Sequence, residues 1–138
     1  MRGFLLDTNV VSEARKQTRA NPRVVSWLAA HRGELYLSVL VTGEIRGGIE
    51  SIRRRDVGAG AVLERWLREI ESDFGERILP VDGPVADRWG RMMASRRVPA
   101  IDGLLAATAI VHGLTLATRN IRDVAPTGVP CVDPFAVR

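Results

Sequence analysis

Four things are scarce in this chain of 138 residues, and each scarcity removes a class of explanation. There is one cysteine, Cys131, so no internal disulfide can form. Set in the apolar stretch VPCV, it reads as a buried and inert thiol. The two histidines, His31 and His112, stand far apart and in no ligand-like spacing, which argues against a histidine metal site. No apolar run approaches the ~20 residues of a membrane span. The N-terminus also lacks the basic segment and cleavage site of a secretory leader. The expected location is therefore cytoplasmic, with no membrane partner. Lysine is nearly missing as well: Lys16 stands alone against 19 arginines.

What is present describes an ordinary globular chain. Hydrophobic residues make up 46% and charged residues 26%. The length suits one domain over residues 1–138, and a domain of this size buries roughly two-thirds of its unfolded surface without needing a disulfide or structural metal. The net charge is +4 and is carried almost wholly by arginine. Guanidinium groups bind phosphate bidentately and stack on bases, so a nucleic-acid partner is permitted. A general compositional preference for arginine explains the same numbers.

Strand and helix signals alternate from end to end. Residues 3–6 read as a short buried strand. Asn21-Pro22 opens a helix, with Asn as the cap and Pro in the first turn. Residues 35–38 form a second strand, and Ser38 can cap a helix running to about residue 53. The segment DVGAG breaks that helix, and Val62, Leu63, Trp66, Leu67, Ile70 and Phe74 mark the next by their i, i+3, i+4 spacing. Residues 76–81 read as a third strand, Val85, Trp89, Met92 and Met93 as a helix, and 101–112 as a central helix that is apolar almost all round. Residues 114–118 and 129–133 complete a set of five strands. The aromatic and methionine positions at helical spacing are best read as core. This order predicts an α/β fold with a mainly parallel sheet covered on both faces.

Ligands of such sheets bind outside the carboxyl ends of the strands. Asp7 ends the first strand, Glu44 follows the second by one to two helical turns, and Asp102 begins the apolar helix. Residues 114–118 deliver Thr118 and Asn120 to the same edge. Each has an ordinary reading: Asp7 as a helix cap, Glu44 as a surface glutamate, Asp102 as an acid answering the helix dipole, and Asn120 with Asp123 as a capping box. Together, three acids in apolar surroundings would repel one another and favour protonation unless a cation joined them. An oxygen-only donor set suits a hard ion such as Mg2+ or Mn2+, which also accepts phosphate oxygens.

LLDTNVVSE, LSVLVTGEIRGGI and AIDGLLAATAIVHGLTLATRN resemble, in that order, the PIN-domain ribonucleases, and among them the VapC/FitB-like toxins of bacterial type II toxin–antitoxin systems. The resemblance covers nearly the whole chain. It implies a three-layer α/β/α sandwich and a Mg2+- or Mn2+-dependent endoribonuclease that acts as a toxin. It further implies Asp7, Glu44, Asp102 and Asn120 as the catalytic set, with Asp7, Glu44 and Asp102 as metal ligands. Thr8, Asn9 and Thr118 would orient those acids or a water, and Asp123 could lend a further carboxylate. The implied partners are RNA, a small DNA-binding antitoxin and a second copy of the chain. Relatives often carry a fourth acid where Asn120 stands, so a weaker second metal position is expected here.

Two other readings remain. An aspartyl-nucleophile phosphatase typically needs Asp-x-Asp, and Asn9 occupies the second place. A non-catalytic RNA-binding or regulatory module gains weight from the missing acid. RRRDVGAG at 53–60 reads as a solvated loop. Gly43 and Gly47 are expected to allow close helix contact, and the exposed helix pair around 40–75 is the expected docking region.

Overall fold

The computed structural model describes residues 2–95 and 97–136. The elements are β1 (Phe4–Leu6), α1 (Thr8–Ala14), α2 (Pro22–Ala30), β2 (Leu35–Ser38), α3 (Val39–Arg53), α4 (Val57–Phe74), β3 (Ile78–Leu79), α5 (Gly83–Ser95), α6 (Ala100–His112), β4 (Thr115–Ala117), α7 (Ile121–Val124) and β5 (Cys131–Val132). All strand pairings are parallel, and the sheet order is β3-β2-β1-β4-β5. β1 is central: the chain first builds outward through β2 and β3, then returns to place β4 and β5 on the other side. The order therefore reverses at β1, and the crevice outside the carboxyl ends of β1 and β4 is the topological switch point.

Local chemistry sets the boundaries. Asn21 accepts a hydrogen bond from the Arg23 amide and Pro22 occupies the first turn of α2. Ser38 accepts from the Leu40 amide at 3.0 Å and so turns the end of β2 directly into α3. Gly113 ends α6 at φ +66°, a conformation that favours glycine. Leu5 and Leu6 are consecutive and both buried, as a strand covered on two faces requires. Leu37, Leu79 and Leu116 continue that core across the sheet. α6 packs closely on α5 because residue 103 has no side chain; a Cβ there would lie 3.1 Å from Met93 Sδ and 3.2 Å from the Trp89 ring. Among the described residues, no helix is long and apolar enough to cross a membrane.

Several expectations need correction. The third strand is only Ile78–Leu79, because residues 75–77 form a 3-10 turn. The helix from Ser38 ends at Arg53 as expected, but the break is only residues 54–56: Asp56 accepts from the Ala59 amide and caps α4, so Val57–Gly60 is that helix's first turn rather than loop. Cys131 is half-buried, since it lies on the edge strand β5. Gly43 and Gly47 are exposed and a Cβ at either would meet nothing, so neither brings helices together; Gly60, against Arg53, does that. Trp27 is buried in the core, whereas Trp66 and Trp89 only pack against its rim.

The arginine tract is also partly structural. Arg46 grips the Glu64 carboxylate with both nitrogens at 2.6 and 2.7 Å, and Arg53 reaches the same carboxylate at 2.6 Å. These bonds tie α3 to α4, and the two guanidinium groups hold the Glu64 carboxyl well below the usual carboxylate range. A carboxylate depressed in this way stabilises the fold fully above its unfolded pKa of about 4.3 and progressively less as pH falls toward its folded value. Glu64→Gln should therefore lower the melting temperature by a few degrees at neutral pH. Calorimetric scans at falling pH should show the gap constant above about pH 5 and narrowing below the usual carboxylate range.

Candidate metal centre

Asp7 leaves the end of β1 with its backbone amide bonded to the Ala117 carbonyl of β4 at 2.9 Å. It also caps α1. Oδ1 accepts from the Thr8 amide at 2.7 Å, and Oδ2 accepts from Thr118 Oγ1 at 2.8 Å and Asn9 Nδ2 at 3.2 Å. The capping reading and the site reading are thus both true of its position. Asp7 is buried and Thr118 is wholly so. Three donors on one buried carboxylate offset its loss of water and fix its direction.

The other groups gather around it. Thr8 Oγ1 donates to Glu44 Oε1 at 2.6 Å, which brings α3's acid to the start of α1. Thr118 Oγ1 accepts from the Asn120 amide at 3.0 Å, and Asn9 Oδ1 accepts from the Arg119 amide at 3.2 Å. Asp102 lies in the first turn of α6, half-buried. Its carboxyl is pushed above the usual value, first by burial and then by the charges of Asp7, Asp123 and Glu44. A helix N-terminus alone would favour the charged form, so the dipole reading of Asp102 is outweighed. The charges of Asp7, Glu44 and Asp123 thus reach Asp102 from three other segments of chain.

Not every expected detail appears. Glu44 is exposed, so its neighbours do not make it costly in the way the apolar sequence suggests. Asn120 caps α7 with no side-chain hydrogen bond, so the capping box with Asp123 does not form, and both side chains are exposed. Among the described residues, no group of three or more aspartates, glutamates, histidines or cysteines stands where it could hold a metal ion. Like charges repel, and Glu44 is already held by Thr8 and Asp7 by Thr118. In kind, the donors suit a hard dication: they are oxygens only, and Asp102, opposed first by burial and then by the charges of Asp7, Asp123 and Glu44, would gain from a nearby positive charge. An apolar groove of about 460 Å³ between α1, α2 and α4, lined by Leu6, Val11, Leu28, Trp66 and Ile70, contains none of these acids.

Sequence reasoning passed over Glu13. It is buried, and its carboxylate accepts from Lys16 Nζ at 2.9 Å and the Asn21 amide at 2.8 Å. Those bonds hold it below the usual range, Lys16 first, with Arg119 adding a smaller effect. The available signal was its place four residues after Asn9, on the same face of α1.

Known proteins were compared with the chain. Residues 4–124 match the PIN domain. The chain is 34% identical over 141 residues to Toxin FitB of Neisseria gonorrhoeae, spanning 96% of this chain and 98% of that protein. It is 30% identical over 141 residues to VapC ribonuclease Y4jK of Sinorhizobium fredii, spanning 96% and 97%. Among solved structures, FitAB bound to a DNA fragment superposes with a TM-score of 0.87 at 32% identity, covering 98% of this chain and 97% of that one.

Two substitutions separate the supporting groups from the repelling ones. Thr118→Val keeps the shape but leaves the Asn120 amide without its acceptor and Asp7 without a donor; denaturant unfolding should show a loss of about 1–3 kcal/mol. Asp102→Asn removes a carboxylate that its neighbours oppose. The metal-free variant should melt above the wild type at neutral pH, and the rise in melting temperature on adding Mn2+ should largely disappear.

Proposed function

The chain belongs to the PIN-domain family, and from that premise we propose that it is a Mg2+- or Mn2+-dependent endoribonuclease serving as the toxin of a toxin–antitoxin pair. The observation that supports the reading is the pair of bonds that hold Asp7 through Thr118 and Glu44 through Thr8 where the strand order reverses, with Asp102 opposed by burial and then by the charges of Asp7, Asp123 and Glu44. Asp7, Asp102 and Glu44 would hold the ion, and Asn120 could add a neutral amide oxygen. When bound, such an ion neutralises phosphodiester charge and makes water a stronger acid.

The chain's own residues set the stage for hydrolysis. Thr118 and Asn9 fix the Asp7 carboxylate, and Thr8 fixes that of Glu44. Asp102, opposed first by burial and then by its acidic neighbours, is the carboxylate that a bound dication would relieve most. In the family's pattern the products carry a 5′-phosphate and a 3′-hydroxyl. The arginine-rich surface would hold the rest of the RNA by its backbone.

The partner reading rests on the relatives. FitB is named a toxin, and the matched FitAB assembly sits on DNA, which supports a small DNA-binding antitoxin here. The α3–α4 pair exposes Val39, Val57 and Val62, an apolar set that supports docking of the antitoxin or of a second copy. A non-catalytic RNA-binding role is favoured only by the amide at residue 120 in place of a fourth acid.

End-labelled RNA distinguishes the two. Wild-type protein should cut it with Mg2+ or Mn2+ and be silent in EDTA. Asp7→Asn should slow cutting at least about a hundredfold, the order found when a charge-stabilising group is lost. RNA that is bound but left intact under every metal condition would favour the non-catalytic module.

A further inference from the structure

Four carboxylates around one crevice repel a polyanion, so an RNA strand needs cations fixed at the crevice edge. Arg119 stands beside the site, between Thr118 and Asn120. Its backbone amide is held by Asn9 Oδ1 at 3.2 Å, and its guanidinium lies over the Phe135 ring at 4.4 Å. Stacking occupies the face of the guanidinium and leaves its N–H edge able to donate.

Phe135 gathers a second guanidinium. Arg23, in the first turn of α2, donates from Nη1 to the Phe135 carbonyl in a long contact of 3.5 Å. The platform is itself fixed: Phe135 is buried, and its amide donates to Asp133 Oδ1 at 2.9 Å. Among the described residues, neither Arg23 nor Arg119 has a carboxylate within ion-pairing distance. The nearby acid, Glu13, is already satisfied by Lys16 and the Asn21 amide. Two exposed arginines thus share one buried aromatic residue next to the acidic crevice. Phe135 lies beyond residues 4–124, the stretch matched by the PIN domain, whereas both arginines lie within it.

We infer that Arg23 and Arg119, assembled on Phe135, form a clamp for the phosphate backbone of the RNA strand beside the metal centre. The clamp rests on the ribonuclease reading for its choice of ligand. Its physical advantage is pre-organisation: a guanidinium already stacked loses less freedom on meeting a phosphate than a free one.

The test is equilibrium binding of a fluorescein-labelled single-stranded RNA in EDTA, where no cutting interferes, across a range of KCl. The plot of log affinity against log salt should flatten by about 0.7 for each arginine removed in Arg23→Gln and Arg119→Gln. Arg54→Gln with Arg55→Gln removes the same charge from the α3–α4 corner and should leave the slope near that of the wild type. Phe135→Leu keeps both charges but removes the platform; it should weaken binding, and Phe135→Trp should restore it. An unchanged slope in the Arg23/Arg119 pair, or an equal flattening in the Arg54/Arg55 pair, would overturn the clamp. Metal-dependent cutting by the wild type alongside that result would leave the ribonuclease reading intact. A flattened slope in a protein that never cuts RNA would keep the clamp and remove the nuclease.

Discussion

One buried carboxylate organises this molecule. Asp7 sits where the central strand gives way to the first helix, and a charge placed there is costly unless donors meet it. The Thr8 amide, the Asn9 amide group and the Thr118 hydroxyl do so. Those same bonds stitch β1 to β4 and orient the start of α1. Fold and site are therefore not separable at this point: the groups that make Asp7 tolerable also aim it into the crevice at the switch point.

Around that fixed acid the electrostatics are deliberately unequal. Inside the crevice burial and then the neighbouring acids oppose the charge of Asp102, whose pKa is raised. Elsewhere acid and base are matched: Glu64 is enclosed by Arg46 and Arg53, and Glu13 is answered by Lys16. Acids opposed within one crevice, while Glu64 and Glu13 outside it are each answered by a base, are the pattern of a functional site more than of packing. The two arginines on Phe135 extend that contrast outward from acidic crevice to basic edge.

Much of this was legible in the sequence because the signals are short-range. The run Phe4–Leu6 ending at Asp7, the Ser38 cap and the apolar helix after Asp102 each declare themselves within a few residues, and five parallel strands follow from their alternation with helices. What was not legible depended on partners distant in sequence. The capping box at Asn120 was misread because Thr118, bonded across to Asp7, takes the Asn120 amide. The surface-glutamate reading of Glu44 agrees with its exposure, because a helix exposes one face however apolar its sequence; what its neighbours do not show is the bond from Thr8, 36 residues away. The Phe135 platform could not be read at all, since one of its arginines, Arg23, is 112 positions away in the chain.

The central claim is that this crevice gathers its acids for a hard dication. Anomalous scattering from a crystal soaked in MnCl2 addresses it directly. The account predicts a manganese peak about 2.2 Å from carboxylate oxygens of both Asp7 and Asp102, with Glu44 reaching it directly or through water. A manganese-saturated crystal with no peak in the crevice, or with its peak on other residues, would contradict it.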